Sequence, residues 1–358
     1  MMRVLHVVTS FEPEAGSVAV SLRDLFDKLR EYEIESAGLA VEPVAHGFRG
    51  LVDFGHGPGA VGQLIKGADV VHIHGWDDEL APTAAKAARS LGKPFFLSPM
   101  GDMTESRFRP MGWTDRLRRL VSERGLIRKA TALLAINELE EKNLREQRLN
   151  ENIRRLPYGL DMPLYRMGPP TGQLLPDLPE GKLLLLLGPL HPIEGHVPLL
   201  KAFAEIGLDA SGWNLALAGP EFEYWQKTLE AGVRRKGGEE RVLFARAPDV
   251  TTQRAWLGHA SLLVAPSLHI RCPISAMQAI AAYVPVLATP FGTPAGMEKA
   301  IRVCPPQREP LRETLRALLT SPDEELEEMA RNARHVGERT FDWSMLAEEY
   351  VGLYQKHA

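Results

Sequence analysis

Short apolar runs alternate along the chain with longer stretches whose apolar positions recur at helical spacing. Val4-Leu5-His6-Val7-Val8 reads as a strand buried on both faces. Residues 17–31 follow, with Val18, Val20, Leu22, Leu25, Phe26 and Leu29 on one helical stripe. Further strands are predicted at 69–74, 94–97 and 130–136, and helices at 80–91 and 138–146. Glu138, Glu140 and Glu141 read as the solvated face of the last of these, with no chemistry implied. Residues 163–181 then break the pattern with five prolines and three glycines, the composition of a linker. The alternation restarts with strand 182–188, helix 194–207, strand 213–218, helix 221–235, strands 241–244 and 261–265, helix 274–283 and strand 285–288. Helical patterns at 310–320, 323–337 and 343–357 close the chain. The run Leu183–Leu187 is wholly apolar and is expected at the centre of the second sheet.

Strands alternating with helices predict α/β structure, with mostly parallel sheets covered on both faces. A chain of 358 residues with one internal break fits two such domains, 1–165 and 166–340, with 341–358 as a final helix. The formal net charge is −4, so no whole-molecule attraction to nucleic acid is expected. Cys272 and Cys304 are too few for a disulfide framework, and neither lies in a zinc-ligand spacing. With no long apolar span and no leader-like cleavage site, a cytoplasmic protein is expected. No GxGxxG opens either sheet, which argues against a dinucleotide-binding enzyme of similar topology.

Three features carry two readings each. His72 and His74 alternate in one strand, as a metal or catalytic pair or as satisfied core histidines. Asp77 and Asp78 follow, as sugar-hydroxyl ligands or as a helix cap. Residues 105–129 hold eight basic side chains against three acidic, interleaved with Phe108, Trp113 and Leu117. They form either a peripheral contact with an anionic membrane face or a solvated helix.

Seven segments, in order, resemble glycosyltransferase family 4. They are RVLHVVTSFEPEAGS at the start, DVVHIHG at 69–75, RLPYGLD at 155–161, LLLLLGPLHPIEGHVPLLKAF at 183–203, LALAGPE at 215–221, the segment 260–289, and FDWSMLAEEYVGLY at 341–354. The resemblance implies a GT-B fold, two Rossmann-like doubly wound domains facing a cleft, with the C-terminal helix crossing back to the first. It also implies a retaining, metal-independent hexosyltransferase with a nucleotide-sugar co-substrate and a glycan or lipid-linked acceptor.

The resemblance fixes which positions bear the chemistry, and here several depart from the pattern. The family's Arg and Lys that neutralise the donor diphosphate fall at Pro189, after Gly188, and at Glu194, before Gly195. Its two glutamates, on donor sugar and ribose, fall at Ile270 and Gln278. Its His before glycine in the first domain falls at Met100. Two unit charges ~4 Å apart interact by about 4 kcal/mol at an effective dielectric near 20, so each lost cation matters. The expected donor-binding set is Gly16, Ser17, Gly188, His191, Gly195, Gly219, Arg271 and Gln278. Arg271, His191 and His196 are the candidates to replace the missing positive charge. Two functions stay open: a glycosyltransferase with an altered donor pocket, or a catalytically inactive relative that binds a glycan or a partner.

Overall fold

The computed structural model describes residues 1–11, 17–41, 51–76, 78–103, 123–165, 175–176, 178–220, 224–235, 237–238, 240–247 and 249–358. These form two compact units. The first comprises Met1–Gly159 with Trp343–Ala358, and the second comprises Leu160–Asp342.

The first unit holds a seven-stranded, all-parallel sheet. Its strands are β1 (Met2–Val8), β2 (Ile34–Ala40), β3 (Leu51–His56), β4 (Val70–His74), β5 (Phe95–Ser98), β6 (Ala132–Ala135) and β7 (Ile153–Arg155). They lie in the order β3-β2-β1-β4-β5-β6-β7. Side chains alternate across the sheet. Leu5, Val7, Val71, Ile73, Leu97 and Leu133 pack with helices Gly57–Gly67 and Leu80–Ser90. His6, His72 and Phe96 line the other face, where their rings meet Phe26 of helix Ser17–Glu31 and Tyr350 and Tyr354 of helix Trp343–Gln355. The last helix of the chain is thus built into the first unit.

The second unit repeats the plan with six parallel strands: β8 (Lys182–Leu187), β9 (Trp213–Ala218), β10 (Val242–Ala245), β11 (Leu262–Ala265), β12 (Val286–Ala288) and β13 (Arg302–Val303). Their order is β10-β9-β8-β11-β12-β13, so the leucine run of β8 is central, as its composition predicts. Leu184 and Leu186 pack against Leu199, Phe203, Leu215 and Leu315. Each fully buried leucine of this kind contributes about 1.5–3 kcal/mol.

Candidate functional site

In doubly wound sheets ligands gather beyond the carboxyl ends of the strands. In the second unit those ends are the loops after β8, β9 and β11. Gly188 follows β8, and its carbonyl oxygen lies only 1.8 Å from where a Cβ on Gly219 would stand, so these two loops touch only because residue 219 is glycine. His191 caps a short 3-10 turn (Pro192–Glu194), its Nδ1 accepting the Ile193 N–H at 3.3 Å. Gly195 ends that turn at φ +79°, with its Cβ position 2.1 Å from the Pro266 carbonyl oxygen. Leu268 N–H donates to the Ile193 carbonyl at 2.8 Å.

That close approach brings Glu194 to the loop after β11. Its Oε2 accepts from Ser267 Oγ at 3.2 Å, and its Oε1 lies 3.8 Å from Arg271 Nε. The Glu194 side chain is 17% exposed, whereas Arg271 is 48% exposed. Burial raises the Glu194 carboxyl above its ordinary range, opposed by Arg271 and the Ser267 bond. His269, beside this pair, is held below the usual histidine range by burial and then by Arg271.

The other predicted positions separate. His196 is fully buried, with Nδ1 bonded to the His191 carbonyl at 3.1 Å. Burial pushes its pKa down to about 4, so it is uncharged and turned inward, and the expectation that it supplies positive charge fails. Ile270 is 2% exposed and packs in the interior. Gln278 is equally buried, and its Nε2 donates to Tyr165 Oη at 3.0 Å and to Gln253 Oε1 at 2.9 Å. Gly16, Asp77 and residues 104–122 lie outside the described residues, as does the side chain of Ser17. Asp78 takes its capping reading: Oδ1 accepts the Ala81 N–H at 2.9 Å, and Oδ2 accepts from Thr9 Oγ1.

The first unit presents the loops after β4, β5 and β6. Gly75 (φ +91°), Met100 (φ +52°) and Gly101 (φ +90°) all adopt left-handed backbone there. Asp102 Oδ2 accepts the Trp76 N–H at 2.6 Å, and the Trp76 indole donates to Glu123 at 2.6 Å. Glu140, expected on a solvated face, is instead 1% exposed. The helix Glu138–Gln147 rolls it inward because its two oxygens have backbone amides to meet: Gly101 N–H at 2.6 Å and Ile136 N–H at 2.8 Å. Burial first, and then nearby Asp102, push its pKa up to about 7 against those two hydrogen bonds.

His72 and His74 take the core reading, together with His6, which sequence reasoning missed. His72 bonds Tyr354 Oη (2.7 Å) and Ser98 Oγ (2.9 Å), while His74 bonds Tyr158 Oη (2.5 Å) and His6 (3.0 Å). One ligand nitrogen from each of the three lies within 4.8 Å of the others, which is loose metal-ligand spacing. Both nitrogens of His72 and His74 are already hydrogen-bonded, and all three rings are held in the neutral form, His6 down to about 3, chiefly by burial. His6 aligns with His72 in the β1–β4 register, a long-range pairing that strand order supplies and local spacing does not.

Two parallel-sheet, Rossmann-like units, each with glycine-bearing loops at its strand ends, make up the described structure. The family description "glycosyl transferase 4-like domain" matches residues 4–159, and "glycosyl transferases group 1" matches residues 181–321. The chain belongs to these group 1, family 4-like glycosyltransferases. It is similar to GDP-mannose:cellobiosyl-diphosphopolyprenol alpha-mannosyltransferases. The Xanthomonas oryzae pv. oryzae enzyme is 23% identical over 391 aligned positions, covering 99% of this chain and 96% of that one. The Komagataeibacter xylinus enzyme is 31% identical over 169 residues, covering 45% of this chain and 40% of that one. Among solved structures, Anabaena HepE in complex with UDP-glucose superposes with a TM-score of 0.78 at 15% identity, covering 99% of this chain and 100% of that chain. Sucrose-phosphate synthase from Thermosynechococcus elongatus superposes with a TM-score of 0.74 at 16% identity, covering 99% and 98%. These structural likenesses establish the GT-B fold. Among the described residues, no helix is long and apolar enough to cross a membrane.

Proposed function

We propose that the protein transfers a hexose, with retention, from a nucleoside diphosphate sugar to a glycan or lipid-linked acceptor, without a metal ion. In this reading Arg271 takes over the donor diphosphate. One observation carries it: the only described ion-pair partner of Arg271 is Glu194, 3.8 Å from its Nε, and the side chain remains half exposed at the carboxyl end of β11. The far edge of its guanidinium is therefore free to form a planar two-point contact with phosphate oxygens. Gly188, His191, Gly195 and Gly219 shape the loops around it. The relatives named for GDP-mannose make that nucleotide the first donor to try.

Titration of GDP-mannose and UDP-glucose with EDTA present, followed by assay of sugar transfer and donor hydrolysis, tests the reading. Arg271→Ala is expected to weaken diphosphate binding about tenfold or more, the loss of a charged hydrogen bond. Unchanged affinity would remove Arg271 from the site.

The inactive-relative reading has one observation in its favour. Ile270 is packed away and the Gln278 amide nitrogen already donates to Tyr165 and Gln253, so Ile270 offers no polar group and Gln278 no spare amide hydrogen to a donor. Absence of nucleotide binding would select it. The peripheral membrane contact stays part of the proposal through exposed Arg128 and Lys129 at the end of 105–129. Sedimentation with anionic against neutral vesicles tests it.

A further inference from the structure

Just past three adjacent strands of the first unit, the backbone amides of Trp76, Gly101 and Ile136 donate to carboxylates. A third-position glutamate in a helix's first turn ordinarily reaches back to the amide of the capping residue. Asn137 does cap this helix, its Oδ1 accepting the Glu140 N–H at 2.9 Å. The Glu140 carboxylate, however, spends one oxygen on Ile136 N–H, just past β6, and the other on Gly101 N–H, just past β5. Gly101 follows Met100, which holds a left-handed conformation that a side chain disfavours. The next residue, Asp102, accepts the Trp76 amide just past β4. One buried carboxylate therefore anchors a chain of bonds spanning the ends of β4, β5 and β6.

We propose that Glu140 is a positioning residue of the acceptor side, holding the Met100–Gly101–Asp102 turn in the conformation that receives the acceptor. This rests on the glycosyltransferase reading above. The turn lies where a doubly wound sheet meets its ligand, and it exposes Met100 and Asp102 in part. Its anchor also responds to protonation. The ionised carboxylate accepts both amides, whereas the protonated acid turns one oxygen into a donor facing an N–H. The titratable group facing Glu140 across the turn is Asp102, and no cation among the described residues pairs with Glu140.

Hydrogen exchange on the full chain tests this without turnover. In the unchanged protein the Gly101 amide, corrected for intrinsic rate, should be protected by its bond to Glu140. In Glu140→Gln its protection should be low, with exchange about tenfold faster, because glutamine accepts only one of the two amides. Amides within β4, β5 and β6 should hold, and so should GDP affinity. With GDP-mannose and cellobiosyl-diphosphopolyprenol, the variant should raise the acceptor KM about tenfold at little-changed kcat, and Glu138→Gln should change neither. A Gly101 amide that exchanges equally in both proteins overturns the proposal, as does an equal loss of GDP affinity. If the unchanged protein shows no turnover, the glycosyltransferase reading fails, and the Gly101 exchange profile alone decides the anchor.

Discussion

Glu194 stands where a cation is expected from the family pattern, and Arg271 stands across from it. The two are close enough to neutralise each other. Because Arg271 is half exposed, the pair itself is worth about 1 kcal/mol or less. Its larger effect is on ligands, since the carboxylate competes with any diphosphate for the guanidinium. Glu194→Gln should tighten GDP binding severalfold, measured by titration calorimetry, with Arg271 as the beneficiary. Glu194→Lys should not restore the family arrangement, because it would set a second cation against Arg271. Restoring glutamate at Gln278 should fail for a related reason. The Gln278 amide donates to the Gln253 oxygen, so a carboxylate there would face that oxygen with no donor. Gln278→Glu should cost about 1–3 kcal/mol in urea unfolding of the second unit.

Helix Trp343–Gln355 covers the histidine face of the first sheet. Its Tyr354 hydroxyl bonds His72, and its Tyr350 hydroxyl donates to the Pro157 carbonyl at 3.1 Å. Tyr354→Phe should destabilise the first unit by about 1–3 kcal/mol, since it strands a buried imidazole nitrogen. The same face sets the acid response. His6, His72 and His74 are all depressed below their ordinary value of 6.5, so the unfolded chain takes up protons first as pH falls. The stability from keeping them neutral is complete above pH 6.5 and is lost as pH falls towards about 3, the folded value of His6. Urea titrations of the first unit should therefore weaken from neutral pH into this window. His6→Phe should make the decline shallower by up to about one proton. A stability independent of pH between these limits would mean that the trio is not sealed.

Much of the architecture was readable because parallel strands buried on both faces must be apolar throughout, as Leu183–Leu187 and Val70–Val71 are. Other elements hid for physical reasons. β3 is half exposed, helix Gly57–Gly67 carries four glycines, and helix Val250–His259 buries the consecutive Ala255, Trp256 and Leu257 rather than a stripe. The site was legible only where a resemblance marked positions. His6 and Glu140 escaped because their roles depend on partners 68 and 39 residues away, which no local spacing reveals.

The first unit is made of Met1–Gly159 and the distant segment Trp343–Ala358, whereas the second is continuous. This has a consequence for biosynthesis. On the ribosome, the segment translated first cannot close its own core until Tyr350 and Tyr354 emerge, so the middle of the chain can mature ahead of it. A nascent chain arrested before Trp343 should carry a protease-resistant core from its middle and a digestible N-terminal segment of nearly half its length, a clientele on which chaperones would act until translation ends.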